Sequence, residues 1–309
     1  MNMKQIKTLS KLTEYAKDVG PVKLSVACAE DAEVIASVEI ARKLGIANAI
    51  LVGNADKIKE AASSINVNIS DYEVVDERGD VYSVALKAVS LVSGGQAQVF
   101  MKGMLDTKSF LRAVLNKEVG LRDGKRVLTH CYFHEIKGYD RIIFITDPAF
   151  NQYPDLNTKV DIVNNAVELA RGFGIECPKV AALAAVEVVN PDMPSTLDAA
   201  ALTVMNKRGQ IKGCLVDGPL ALDIAISPSA ANHKGIVSDV AGYADILLVP
   251  NIEAGNVLGK SIIYFSENKT AALVLGGLSP IVLTSRADCA ETKLYSISAA
   301  VALAANKQR

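Results

Sequence analysis

The sequence predicts an α/β protein whose strands form a mainly parallel sheet covered by helices. Two observations carry this. Short apolar runs of strand length alternate with segments whose apolar residues recur at helical spacing, and the alternation continues along nearly the whole chain. The helical segments are amphipathic and carry start and stop residues, as where Gly45 closes the first of them. Such an alternation is the signature of strands joined by crossover helices.

The elements follow in order. "MNMKQIKTLSKLTEYAK" reads as an amphipathic helix. The strand "VKLSVAC" (22–28), the helix "DAEVIASVEIARKLG" and the strand "NAILVG" (48–53) come next. The helix "ADKIKEAASSI", the strand "YEVVD", the helix "DVYSVALKAVSLVSGG" and the strand "AQVFMKG" (97–103) complete a first block. The pattern changes near Gly124, where "KRVLTHCYFHEI" and "DRIIFITD" stand on either side of Lys137-Gly138-Tyr139 and predict a hairpin opening a second domain. The helix "TKVDIVNNAVELARGFG", the strand "KVAALAAVEVV", the helix "STLDAAALTVMNKRG" and the strand "GCLVDGPLALDIAI" follow. Then come "ADILLVPN", a helix around 254–264 and "ALVLGG". The last helix, "CAETKLYSISAAVALAANK", is placed to return onto the first domain.

Composition excludes several classes. The 309 residues are half apolar and 22% charged, a globular balance long enough for two domains. Net charge is −1 and there is no Trp, which argues against a nucleic-acid partner or an anionic membrane. The N-terminus lacks an apolar signal core, and the longest uncharged stretch, 270–285, is broken by Gly276, Gly277 and Pro280. The five cysteines are widely spaced with no CxxC, which fits free thiols in a reducing cytosol. A cytoplasmic location is therefore expected.

Two stretches place chemistry at the carboxyl end of a strand. "AQVFMKG" ends in Lys102-Gly103, and Asp106 or Thr107 then caps a helix that carries Arg112. Free N–H groups at a helix start attract anions, and an arginine adds a planar fork for phosphate. The bland reading is an ordinary cap beside a surface arginine. "SPIVLTSRADCAETKL" repeats the form: an apolar run delivers Ser285, Arg286 and Asp288 to the mouth of the last helix. Asp288 and Glu291 resemble a carboxylate capping box, which explains Asp288 but not Arg286 at an edge where α/β sheets place ligands.

Other patterns are weaker. "AGNVLGKS" (254–261) fits a loose phosphate-loop form, but "NIE" separates it from the preceding apolar run. His130 and His134 would share one face of a strand, without the glutamate of a zinc-protease motif, so a structural role is expected and no metal. "GFGIEC" lacks the third glycine of a dinucleotide fingerprint. Asp217 and Asp223 flank a turn and would either bind substrate or make turn hydrogen bonds.

Taken in order, "MKGMLDTKSFLRAVLNKEVGLR", "EVVNPDMPSTLDAAAL", "GQIKGCLVDGPLALDIAIS", "SDVAGYADILLVPNIEAGN" and "PIVLTSRADCAETK" resemble the phosphate acetyl/butyryltransferase family. The "NKEVGLR" and "TSRADCAETK" wording points to its butyryltransferase branch, with the acetyltransferase branch as the alternative. The resemblance implies acyl-CoA + phosphate ⇌ acyl phosphate + CoA, with coenzyme A as a substrate and no tightly bound cofactor. It implies two α/β/α domains of the isocitrate/isopropylmalate-dehydrogenase-like type with an interdomain cleft. The first would hold residues 1–125 and 280–309, and the second would be an insertion of 126–279. It also implies a homo-oligomer. A dehydrogenase sharing the fold would need nicotinamide binding, for which the sequence shows no clean signature.

Residue by residue, the family's Ser-Arg pair matches Ser285-Arg286, and its helix arginine matches Arg112. Lys102, Thr107, Asp217 and Asn256 of the "EAGN" loop fall on the substrate side. The catalytic aspartate of the acetyltransferases would fall on Thr292, which is no base, so Asp288, Glu291 and Asp217 stand as the candidate carboxylates. The chemistry fits these parts: a carboxylate takes the CoA thiol proton, Ser285 or a backbone N–H stabilises the oxyanion, and the arginines hold the phosphate. Both substrates bound together need no enzyme nucleophile.

Overall fold

The computed structural model describes residues 5–285 and 288–307. In chain order the elements are α1 (Leu9–Val19), β1 (Val22–Ala27), α2 (Ala32–Lys43), β2 (Ala47–Gly53), α3 (Ala55–Ser64), β3 (Glu73–Asp76), α4 (Val81–Ser93), β4 (Val99–Lys102) and α5 (Thr107–Val114). Next are β5 (Thr129–Glu135), β6 (Ile142–Thr146), α6 (Leu156–Gly172), β7 (Lys179–Leu183), α7 (Pro194–Lys207), β8 (Leu215–Leu220), α8 (Leu222–Ile226) and α9 (Pro228–His233). The chain ends with β9 (Ile246–Leu248), α10 (Ile252–Phe265), β10 (Lys269–Leu275), β11 (Ile281–Val282) and α11 (Ala290–Lys307). Many helices start where a side chain accepts an otherwise orphaned N–H: Asp31, Asn54, Asp80, Asp106, Asp155 and Asn251 all do so.

The chain divides into two compact units. One comprises Ser10–Arg126 and Ala271–Arg309. Its strands run β3-β2-β1-β4-β11-β10, parallel except for the antiparallel β10–β11 pair. α11 packs against α2. Its core includes Phe100 and Phe110, both fully buried and stacked at 5.6 Å, which fixes α5 over β4. Burying each such ring contributes roughly 1.5–3 kcal/mol.

The other unit comprises Met1–Leu9 and Val127–Thr270. The predicted hairpin is present: β5 and β6 pair antiparallel, and the sheet continues through β9, β7 and β8 in parallel. Phe133, Phe144 and Phe173 meet edge-on or tilted at 5.5–6.0 Å in its core.

Three elements differ from expectation. α1 begins only at Leu9, because the segment before it is drawn into the other unit: Ile6 N–H bonds the Phe173 carbonyl and Leu9 N–H bonds Glu135. β7 stops at Leu183 instead of running to Val189, because Ala184 turns to the Leu220 carbonyl and Glu187 pairs with Lys234 at 3.0 Å. The apolar run after Asp217 is split, β8 ending at Leu220 and a helical turn taking up Leu222–Ile226.

Candidate active site

β4 and β11 lie side by side and parallel, with Phe100 opposite Ile281 and Met101 opposite Val282. Both strands therefore release their chains at the same edge of the sheet: Lys102-Gly103 from one, Leu283-Thr284-Ser285 from the other. β1 ends there too, and the backbones meet closely. Gly103 and Met104 donate their N–H groups to the carbonyls of Ala27 and Cys28, each at 2.8 Å. A Cβ on Gly103 would sit 2.3 Å from the Cys28 oxygen, so only glycine fits. The carboxyl edge of parallel strands is where α/β sheets take ligands. A cavity of about 300 Å³ opens there, lined by Cys28, Glu30, Asn54, Lys57, Arg78 and Met104 among others.

Lys102 is buried, with its ammonium on the Gly103 carbonyl at 3.3 Å. Thr107 is the first, exposed residue of α5, and Asp106 is the cap: its carboxylate accepts the Ser109 N–H at 2.9 Å. Arg112 sits in the last turn of this short helix. Its guanidinium carbon lies 3.9 Å from the centre of the Tyr82 ring on α4, a cation–π contact. Asp80, the cap of α4, is close enough for its carboxylate to feel the Arg112 charge.

The start of α11 departs from the expected capping box. Asp288 does not cap the helix. Its Oδ2 accepts the Ser285 N–H at 2.7 Å, while its own N–H bonds the Ser285 carbonyl at 3.1 Å, closing a tight reciprocal turn. The N–H of Ala290 is taken by Glu33 of α2 at 3.0 Å. Glu291, expected to complete the box, accepts the Tyr295 hydroxyl at 2.7 Å. Burial pushes the Asp288 carboxyl above the usual aspartate range, while the Ser285 amide and Lys293 pull it back. Ser285 is exposed. Arg286 lies outside the described residues.

Lys102, Thr107, Arg112, Ser285 and Asp288 thus share one unit; Asp217 and Asn256 belong to the other. Asp217 sits on β8, and its Oδ1 accepts the Gly218 N–H at 2.9 Å. Asn256 is not on a loop: "EAGN" forms the first turns of α10. There the Asn256 amide donates to the Pro148 carbonyl at 3.4 Å, and Gly255 lets the helix approach Val249 and Pro148. The same helix contains all of "AGNVLGKS", which removes the phosphate-loop reading. Gly259 in it faces the Tyr132 ring. His134 is buried on β5 with Nδ1 2.9 Å from the Thr270 hydroxyl, and burial lowers its pKa to about 4.

Sequence reasoning missed five contributors. Tyr82 and Glu33 act from elements distant in sequence. Lys293 is buried in the first turns of α11, where a polar residue in an amphipathic pattern reads as solvent-facing. Lys159 and Asp198 form a 2.6 Å ion pair with Lys159 buried, near the carboxyl ends of β7 and β9. An unmatched lysine on the apolar face of α6 was the available signal for the last.

The family model described as phosphate acetyl/butaryl transferase matches residues 81–302. A phosphate butyryltransferase of Clostridium acetobutylicum is 53% identical, across 98% of this chain and 100% of its own length. A phosphate acetyltransferase of Thermotoga maritima is 42% identical, across 94% and 97%. Among solved structures, a branched-chain phosphotransacylase from Enterococcus faecalis V583 superposes with a TM-score of 0.80 at 33% identity, across 92% of this chain and 99% of that one. No described helix is long and apolar enough to cross a membrane. With a family match over most of its length and such relatives end to end, this chain belongs to the phosphate acetyl/butaryl transferase family.

Proposed function

We propose that this chain is a phosphate acyltransferase that interconverts butyryl-CoA and phosphate with butyryl phosphate and CoA, by direct transfer between two substrates bound together. The observation that carries the acyl assignment is the 53% identity to a phosphate butyryltransferase over both full lengths. The 42% identity to an acetyltransferase keeps acetyl-CoA as the second reading.

Written toward acyl-CoA, the CoA sulfur attacks the carbonyl carbon of butyryl phosphate. Its proton passes to Asp288, the carbonyl oxygen becomes a tetrahedral oxyanion, and collapse breaks the carbon–oxygen bond to release phosphate. In this reading Ser285 donates to the oxyanion. Arg112, Arg286 and Lys102 hold the phosphate, the arginines through charge-assisted, fork-shaped contacts. Asp288 suits the base because it is not spent on capping and its carboxyl is already raised. Thr107 stays in the reading as a hydroxyl at the exposed start of α5, and Asp217 and Asn256 as groups on the acyl-CoA side.

No acyl-enzyme is part of this route. Burial pushes Cys28 up to about 12 and Cys214 up to about 11, and Cys131 still higher, so these thiols stay protonated. A homo-oligomer is the proposed assembly, and Val257, Tyr264 and Phe265, exposed on α10, support it. The deciding experiment measures CoA release from acetyl-, propionyl-, butyryl- and branched acyl-CoA with phosphate, beside NAD reduction. A highest kcat/KM with butyryl-CoA supports the assignment; a highest value with acetyl-CoA moves the chain to the acetyltransferase reading.

A further inference from the structure

Lys293 is placed against two physical preferences at once. It is only 3% exposed, although a lysine normally keeps its ammonium in water. It is also the fourth residue of α11, where the positive end of the helix dipole disfavours a cation. Something must compensate both, and the partner is local: the Lys293 ammonium donates to the backbone carbonyl of Asp288. That carbonyl belongs to the turn in which Ser285 and Asp288 bond each other reciprocally. The lysine therefore grips the one turn from which a serine hydroxyl and a partly buried carboxylate project.

We propose that Lys293 is a positioning residue for the transfer reaction: by holding the Asp288 carbonyl it fixes the Ser285–Asp288 turn in the geometry that presents the carboxylate to the CoA thiol. This rests on the reading of Asp288 as the base. The charge has a second consequence. Burial disfavours the ionised carboxylate, and the nearby ammonium favours it, so Lys293 opposes the rise that burial imposes on the base. Among the described residues, the other charged groups at this helix start are Glu33, on the Ala290 N–H, and Glu291, under the Tyr295 hydroxyl; both are acidic and neither replaces the lysine.

The test compares kcat and KM against pH for the full chain, Lys293→Met, Lys293→Arg and Asp288→Asn. Assayed toward acyl-CoA with butyryl phosphate and CoA, Lys293→Met should move the acidic limb of kcat up by about one pH unit or more, the scale of a lost opposite charge, with KM for butyryl phosphate nearly unchanged. Lys293→Arg should restore much of kcat. If Lys293→Met does not fold, Lys293→Gln keeps a donor without the charge and should show the same limb shift. An unmoved limb, with activity falling only as folded protein is lost, overturns the proposal and reduces the lysine to a structural role. A rise in KM for butyryl phosphate at unchanged kcat also overturns it, making Lys293 a ligand of the phosphoryl group instead. Asp288→Asn separates the two levels: full activity there removes the base reading itself, whereas a large loss with an unmoved Lys293→Met limb removes only the positioning role.

Discussion

The Asp288 carboxylate folds back to accept the Ser285 amide at 2.7 Å and leaves the helix it precedes to be capped by Glu33, which takes the Ala290 N–H at 3.0 Å. A carboxylate that caps a helix has its oxygens committed to backbone donors; among the described residues this one has a single backbone donor, Ser285, and one further oxygen. The first prediction follows. Asp288→Asn keeps the shape and an acceptor oxygen, so kcat should fall ~10²–10⁴-fold, as for a lost general base. The sign for stability is opposite to the usual acid case. The folded chain holds the Asp288 proton more readily than the unfolded one, so this group's contribution to stability grows as pH falls through its raised range. Removing the buried charge should therefore leave Tm at pH 7 unchanged or slightly higher. A large fall in Tm with unchanged kcat per folded molecule would count against the base role.

Gly103 tests the sheet edge. A methyl there meets backbone oxygens of Cys28 and Ala27 at 2.3 and 2.5 Å, which are fixed by hydrogen bonds and unable to yield. Gly103→Ala should cost about 1–3 kcal/mol or more by overpacking, and should lower activity because Lys102 moves with it. Thermal denaturation measures the first and kcat/KM for phosphate the second.

Much of the fold was legible because each strand and helix carries its own period and its own caps. What was misread depended on distant partners. The capping box at Asp288 and Glu291 is locally persuasive, but Glu33, far away in sequence, supplies the cap, and Tyr295 engages Glu291. "AGNVLGKS" has phosphate-loop spacing because Gly255 and Gly259 let α10 approach Pro148 and Tyr132 closely. β7 reads as longer because Ala184–Val189 is apolar but for Glu187, yet Glu187 pairs with Lys234 and Val188 and Val189 stand exposed. The Ser285 and Arg112 positions were findable as residues at element ends, whereas Tyr82 under Arg112 and Lys293 under Asp288 needed the folded chain.

Acid stability should decline in two stages. His134 is buried neutral with its pKa lowered to about 4 from 6.5, so the stability it supports is present above about 6.5 and is lost as pH falls toward 4. Glu39 follows: its hydrogen bonds with Arg42, foremost, and with Tyr72 and Lys43 lower it from 4.5 to about 2, so its share is lost between those values. His134→Gln should flatten the upper stage and Glu39→Gln the lower one, read from urea midpoints across pH. An unchanged upper slope in His134→Gln would assign that stage elsewhere.

A thiol nucleophile is excluded by the proposed route, and this is checked directly. Cys289 is the exposed thiol nearest the turn, with its sulfur 3.6 Å from the Thr292 hydroxyl. Cys289→Ser should retain most activity. Mass spectrometry after incubation with butyryl-CoA alone should find no butyryl-cysteine, and detection of one at a kinetically competent rate would replace direct transfer with a two-step mechanism.

Arg112 provides the last prediction, because its setting separates charge from geometry. Its guanidinium carbon lies 3.9 Å from the centre of the Tyr82 ring, so the ring backs the fork that offers two donors to a phosphate. Tyr82 is itself held, its hydroxyl accepting from the Asn116 amide at 3.3 Å. Arg112→Lys keeps the charge but loses the fork and most of the stack, and should reduce kcat/KM for phosphate roughly 10- to 100-fold, the scale of a lost charge-assisted contact of ~1.5–3 kcal/mol. Tyr82→Phe keeps the stacking face and should stay near the wild-type value. Tyr82→Ala removes the platform while leaving Arg112 in place, and should fall toward the Arg112→Lys value. The double variant Tyr82→Ala/Arg112→Lys then shows less than the sum of the two losses, since both act on one contact. Fully additive losses would mean that the ring and the arginine serve the reaction separately, and near-wild-type values in Arg112→Lys would remove Arg112 from the phosphate site.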